Sequence, residues 1–321
     1  MKIVVMGAGA LGSVYGGYLA RAGFDLTLIG RSPHIQAIQR DGLRVTGLDD
    51  FVARPAAVTD ARQVGEADLL LMCVRTTDRE QALADVAHLR PEMVVSFENG
   101  LRKDEALIRQ FGPGPVLGAT SIVGARVVEP GHARCTLFAH TWFGELDNCD
   151  TPRLQALVGA WRKAGMLAET PDSIQAAEWT KLAYLLPVST LSGLTRLPYH
   201  QVLQTPDIAY LFVQLTREVN KVAQAYSIEL GDYAGIGVRA LLHSPFEQSV
   251  QVLIARGDAL AAGGQTDISA NMLYDLMVGR QTEIEAIAGD LVRLASDAGI
   301  SVPGINFVYR AIRGIDHWAR S

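Results

Sequence analysis

The chain has 321 residues and a formal net charge of −5, with 49% hydrophobic and 20% charged residues. The length favours two hydrophobic cores over one, the composition excludes a disordered chain, and the acidic balance offers no broad positive surface for a nucleic-acid backbone. Three cysteines, Cys73, Cys135 and Cys149, lack metal-ligand spacing and are odd in number, which argues against a metal site or a disulfide framework and fits a reducing cytoplasm.

The first predicted element is a strand at 3–6, followed at once by Gly7-Ala8-Gly9-Ala10-Leu11-Gly12 and a helical pattern ending near Ala22-Gly23. Glycines interrupt the apolar stretch that a signal peptide would need, so the N-terminus reads as strand and turn. In that setting GxGxxG marks a dinucleotide site. One glycine makes the tight turn, one lets the backbone approach a pyrophosphate, and one lets helix pack on strand, with the phosphates at the helix N-terminus. A second strand at 25–29 leads to Gly30-Arg31-Ser32, where NAD-dependent enzymes carry an acid for the ribose hydroxyls. A guanidinium that can fork onto a 2′-phosphate, with no carboxylate to repel that phosphate, favours NADP(H), although an exposed arginine at a strand end is also common.

Further apolar runs at 69–74, 94–97, 116–119 and, more weakly, 166–169 alternate with turn-rich or amphipathic segments, the pattern of a mostly parallel sheet with crossover helices. None approaches the roughly 20 residues of a membrane-spanning helix. Arg75, after the third run, is either a second cation near the adenosine or an ordinary loop residue. Asn99 follows the fourth run, at the carboxyl edge of the sheet where ligands bind; it can donate and accept together, and Asn-Gly is equally a plain turn. A turn signal at 171–173 then separates this half from one whose apolar residues recur at three- and four-residue spacing, an all-helical pattern. Lys181 lies in an otherwise apolar helix, where it must snorkel, pair or line a polar cleft. Residues 261–265 read as a helix-to-helix loop. A helix at 282–298 is expected to bury Ile284, Ile287, Ala288, Leu291, Ala295 and Ala298 and to stop at Gly299, and Glu283 complements the dipole of its first turn.

In order along the chain, the GAGALG turn, Asn99-Gly100, Gly124-Ala125-Arg126 with Pro130-Gly131, and Glu178-Trp179-x-Lys181-Leu182 resemble the ketopantoate reductase (2-dehydropantoate 2-reductase) family. Asp275 with Gly279-Arg280-x-Thr282-Glu283-Ile284, and Gly299-Ile300-x-Val302-Pro303, extend the resemblance over nearly the whole chain. It implies a Rossmann dinucleotide-binding domain at 1–172 and an all-α C-terminal domain of the 6-phosphogluconate-dehydrogenase-like type at 173–321. It further implies that Gly7, Ala8, Gly9, Ala10, Leu11, Gly12 and Arg31 bind NADPH, with Arg75 a further cofactor candidate and Ala125 lying against the cofactor. Asn99 then touches both cofactor and substrate, Lys181 is the general acid and a substrate ligand, and Glu283 is the acid beside both, so that Asn99 from the first half meets Lys181 and Glu283 from the second. The implied reaction passes hydride from NADPH to the C2 carbonyl of a 2-oxo acid while Lys181 protonates the alkoxide, without a metal. The partner is a small 2-oxo acid, with neither nucleic acid nor membrane involved and with room for a homodimer.

The sequence departs from the family where the substrate is chosen. Asparagines usual four and eight residues after the lysine are replaced by Leu185 and Ser189, and Pro187 sits earlier than the family's proline and is expected to kink the helix. A serine pair before methionine reads Ala270-Asn271-Met272, leaving Ser189 and Asn271 as substrate-binding candidates. Alternatives are therefore a paralogue reducing a more apolar 2-oxo acid and a non-catalytic NADP(H) sensor on the same fold; retention of Lys181 and Glu283 argues against the sensor.

Overall fold

Strand β1 (Lys2–Met6) turns Ile3 and Val5 to one face and Val4 and Met6 to the other, and all four are buried. A strand with no wet face belongs inside a parallel sheet covered on both sides. The structure, a computed structural model, describes residues 1–233, 237–266 and 268–318, and it divides into two units.

The first unit comprises residues 1–98 and 102–175. After β1 it contains β2 (Asp25–Ile29), β3 (Leu43–Gly47), β4 (Phe51–Ala53), β5 (Ala56–Val58), β6 (Leu69–Met72), β7 (Met93–Ser96), β8 (Leu117–Glu129), β9 (His132–Glu145) and β10 (Ala168–Glu169). Between them run α1 (Ala10–Arg21), α2 (Ser32–Asp41), α3 (Arg79–Asp85), α4 (Lys103–Phe111) and α5 (Pro152–Lys163). One sheet is wholly parallel in the order β5-β2-β1-β6-β7, and a single parallel bridge from Val94 to Val116 extends it. The order reverses between β1 and β6, which puts a ligand crevice at the carboxyl ends of those strands. On one face Ile3, Val5, Leu69 and Leu71 pack with Val14, Tyr15 and Leu19 of α1; on the other Val4, Leu70 and Met72 pack with Leu83 of α3 and Leu107 of α4.

The expectation that 116–119 and 166–169 join this sheet needs correction. Beyond the Val94–Val116 bridge, β8 turns into a long antiparallel hairpin with β9, and β10 pairs with β9, in a second sheet ordered β10-β9-β3-β4. The hairpin escapes a search for apolar runs because along its outer half the buried residues are small and isolated, Ala133 and Cys135 alternating with exposed Arg134 and Thr136, while Trp142 and Phe143 are buried only near its base.

The second unit groups Asn99–Leu101 with Ala176–Ser321. Its helices are α6 (Ile174–Thr195), which starts in the first unit, α7 (Tyr199–Gln204), α8 (Pro206–Ala225), α9 (Val238–His243), α10 (Phe246–Ala262), α11 (Asn271–Met277), α12 (Asp290–Asp297) and α13 (Pro303–Trp318). A widened helical turn, Glu285–Gly289, leads into α12. Of the face expected for 282–298, Ile284, Ile287, Ala288, Leu291 and Ala295 are buried, whereas Ala298 is exposed at the helix end, where Gly299 turns at φ 68. Pro187 lies inside α6 without ending it. It brings no N–H for the carbonyl of Ala183 four residues earlier, and the buried Thr216 hydroxyl of α8 lies 3.1 Å from that oxygen, sharing its one proton between it and the Phe212 carbonyl at 3.0 Å. Buried Glu218 of α8 accepts from the backbone N–H groups of Gly304 and Ile305 at 3.0 and 2.9 Å, satisfying the first turn of α13. No described helix is long and apolar enough to cross a membrane.

In the first unit His34 braces the helix that follows the glycine turn. Its Nδ1 accepts from the Gly131 backbone N–H at 3.0 Å, and its Nε2 lies 2.9 Å from the Ser13 hydroxyl. Both bonds require the neutral ring with its proton on Nε2. Burial holds the ring's pKa below the ordinary 6.5. The unfolded chain therefore takes up a proton that the folded chain resists, so this part of the stability is complete above pH 6.5 and is lost as pH falls below it. Urea unfolding between pH 8 and 5.5 should show a steeper loss of midpoint for the wild type than for His34→Gln; equal slopes would contradict the bracing role.

Candidate active site

The turn from β1 into α1 is shaped by what a side chain would meet there. Gly7 has φ 103, and a methyl on it would lie 2.7 Å from the Cys73 carbonyl oxygen; one on Gly12 would lie 2.1 Å from the Gly7 carbonyl. At Gly9, the N-cap of α1, a methyl would meet nothing within 4 Å. Two glycines are thus demanded by packing and the third keeps a surface bare at a helix N-terminus, which is the fit a pyrophosphate requires. Ala8, Ala10 and Leu11 belong to the same turn, and the backbone N–H groups of Gly7 and Ala8 both donate to the Ile29 carbonyl, tying the turn to the end of β2.

Arg31 follows β2, as expected from the sequence, with 86% of its side chain exposed and Nη2 at 3.1 Å from Asp78 Oδ2. Arg75 follows β6 and begins the short 3-10 turn Thr76–Asp78. The structure therefore gathers the glycine turn, Arg31 and Arg75 at the carboxyl ends of three adjacent strands, β2, β1 and β6. Ala125 lies on β8, half-buried against the core and paired with Cys135.

In the second unit Asn99, Lys181 and Glu283 meet. The Lys181 ammonium donates to Asn99 Oδ1 at 3.0 Å, and Asn99 Nδ2 donates to Glu283 Oε2 at 3.4 Å. The amide orientation is forced, because the flipped form would face its N–H to the ammonium and its oxygen to the carboxylate. Asn99-Gly100 is more than a plain turn. Gly100, at φ 98, lies so close to the widened turn Glu285–Gly289 that a methyl there would approach the Ala286 carbonyl to 2.7 Å.

Helix α6 is buried from Ala176 to Gly193 except at two half-exposed residues, Lys181 and Leu185. Four apart, they share one face, so the helix surface opens at an ammonium with an apolar neighbour. Ser189, one turn further, is buried, and Asn271 stands exposed at the start of α11.

Several residues escaped the sequence reading. Buried Asp316 of α13 accepts from the Thr282 hydroxyl at 2.7 Å and from its backbone N–H at 3.3 Å, anchoring the residue before Glu283. In the first unit Arg79 Nε donates to the buried Glu98 carboxylate at 2.6 Å, just before Asn99 in the chain, and buried Lys103 and Asp104 follow it, with burial pushing the Asp104 carboxyl up. Nothing in the sequence near Thr282 points to Asp316, 34 residues away, whereas charges crowding a strand end were a usable signal for Glu98 and Lys103.

Two family models, ketopantoate reductase PanE/ApbA and its C-terminal counterpart, match residues 3–148 and 173–316. A 2-dehydropantoate 2-reductase of Halobacterium salinarum is 28% identical over 317 residues, covering 98% of each chain. Among solved structures, the PanE/ApbA family ketopantoate reductase of Ralstonia eutropha JMP134 matches with a TM-score of 0.84 and 28% identity over the whole of both chains. A D-mandelate dehydrogenase solved with NADH and anilino(oxo)acetate shares the fold at a TM-score of 0.84 and 20% identity, over the whole of both chains. Two matched halves that together span the glycine turn, Asn99, Lys181 and Glu283 place this chain in the ketopantoate reductase family.

Proposed function

We propose that this chain reduces a 2-oxo acid to a 2-hydroxy acid with NADPH, and that the acid is ketopantoate. The observation that carries the reading is the hydrogen-bonded chain from Lys181 through Asn99 to Glu283. NADPH, when bound at the glycine turn with Arg31 on its 2′-phosphate, supplies the hydride. Arg75 and Ala125 are further residues assigned to the cofactor, as are Asn99 and Glu283. Lys181 holds the C2 oxygen and gives it a proton as charge develops there, which is where a positioned donor acts most strongly. Asn99 fixes the ammonium and Glu283 fixes the amide, so the donor is aimed before the substrate arrives. Ser189 and Asn271 are the polar residues assigned to the rest of the substrate. The product is then pantoate, on the route to pantothenate and coenzyme A.

Leu185 favours a second reading, a more apolar 2-oxo acid. A site that hydrogen-bonds a substrate hydroxyl rejects the analogue lacking it by about 10⁴-fold or more, whereas an apolar surface discriminates by only about 10²-fold. Comparing kcat/KM for ketopantoate and for its deoxy analogue without the terminal hydroxyl separates the two. Preference for ketopantoate supports the first reading, and equal or better turnover of the deoxy acid supports the second. Under the second, Leu185→Asn should shift the ratio toward ketopantoate by about tenfold.

Lys181→Ala should bind NADPH nearly as the wild type does, followed by the change in nicotinamide fluorescence, and lose about 10²- to 10⁴-fold in kcat. A lysine that only packs its stem on the helix predicts a modest loss of stability with kcat almost unchanged in the folded variant. Retention of most of the wild-type kcat would remove Lys181 from catalysis.

A further inference from the structure

The cofactor reading drawn from sequence rests on a missing carboxylate after β2. The fold returns one. Asp78 comes from the turn after β6, 47 residues from Arg31, and its Oδ2 accepts from Arg31 Nη2 at 3.1 Å. Strands β2 and β6 flank β1, so the pair joins the loops on either side of the glycine turn. Arg31 and a carboxylate therefore share the position at which the adenosine ribose is read.

Asp78 has an obvious structural employment that it does not take. It is the N-cap residue of α3, a place where aspartate ordinarily accepts from the helix's first backbone N–H groups, yet its side chain makes no capping bond and reaches Arg31 instead. Both side chains are substantially exposed, 86% and 44%, so the ion pair adds little to stability and opens readily. Its consequence falls on whatever anion seeks Arg31.

We propose that Asp78 sets the discrimination between the two nicotinamide cofactors, holding Arg31 when no 2′-phosphate is present and opposing the phosphate when it binds. This rests on the assignment of the glycine turn and Arg31 to a dinucleotide. A 2′-phosphate must draw the guanidinium from Asp78 and then lie close to a like charge, whereas a ribose with free hydroxyls can donate to the same carboxylate. Asp78 is thus a specificity residue that narrows the preference for NADPH which Arg31 creates.

The test is binding. Dissociation constants for NADPH, NADH, 2′,5′-ADP and 5′-AMP are measured by calorimetry on the wild type, Asp78→Asn and Asp78→Glu, at low and at about 0.5 M salt. Asp78→Asn should tighten NADPH and 2′,5′-ADP by about 3- to 10-fold while leaving NADH and 5′-AMP within twofold or slightly weaker, and the gain should shrink at high salt. Asp78→Glu should behave as the wild type. Thermal unfolding confirms that each variant is folded. An unchanged ratio of NADPH to NADH affinity in Asp78→Asn, or weaker binding of NADPH, overturns the inference while leaving the dinucleotide site standing. Failure of the wild type to bind either dinucleotide overturns the site and the inference with it.

Discussion

An ammonium, an amide and a carboxylate in sequence impose the constraint on which the helical unit is organised. Lysine on a helix that is otherwise buried needs a partner, because a charge removed from water without one is costly. Asn99 accepts from Lys181 and, by the geometry of its amide, can then offer only N–H groups in the other direction, toward Glu283. Each group fixes the orientation of the next. The approach of Gly100 to the widened turn before α12 and the grip of Asp316 on Thr282 set the two ends of this chain.

Helix α6 must also present Lys181 while carrying a proline two turns further on. Thr216 supplies the donor that Pro187 cannot, and Glu218 on the same helix α8 closes the start of α13, which in turn carries Asp316. Polar groups that are buried and satisfied specify one arrangement, since leaving any of them unpaired costs about 1–3 kcal/mol. The first unit solves a different problem with different means. Its parallel sheet, buried on both faces, leaves exposed the ends of its strands, and there the glycine turn, Arg31, Arg75 and Asp78 collect.

Strand–glycine–helix order was legible in the sequence because each requirement is local: an apolar run, a turn that tolerates no side chain, a helix N-terminus. Lys181 was legible as an anomaly in an apolar helix. What could not be read was long-range. Asp78 and Arg31 are neighbours only because β6 crosses to the far side of β1, and Asp316 reaches Thr282 only through the packing of α13. The hairpin β8–β9 was hidden because along its outer half small residues, Ala133 and Cys135, alternate with exposed ones, and the widened turn at Glu285–Gly289 because periodicity cannot distinguish it from an ordinary turn. Leu185 was visible as a departure, while its place beside Lys181 at the opening of α6 required the fold.

If the three polar side chains act as one device, their removal must not be independent. Turnover of the best 2-oxo acid by Asn99→Ala, Lys181→Met and the double variant, expressed as kcat/KM, measures that coupling directly. The hydrogen-bonded chain predicts that the double variant loses less than the product of the single losses, by about tenfold or more. Losses that simply multiply would mean that Asn99 and Lys181 work separately, and that their contact is incidental to the chemistry.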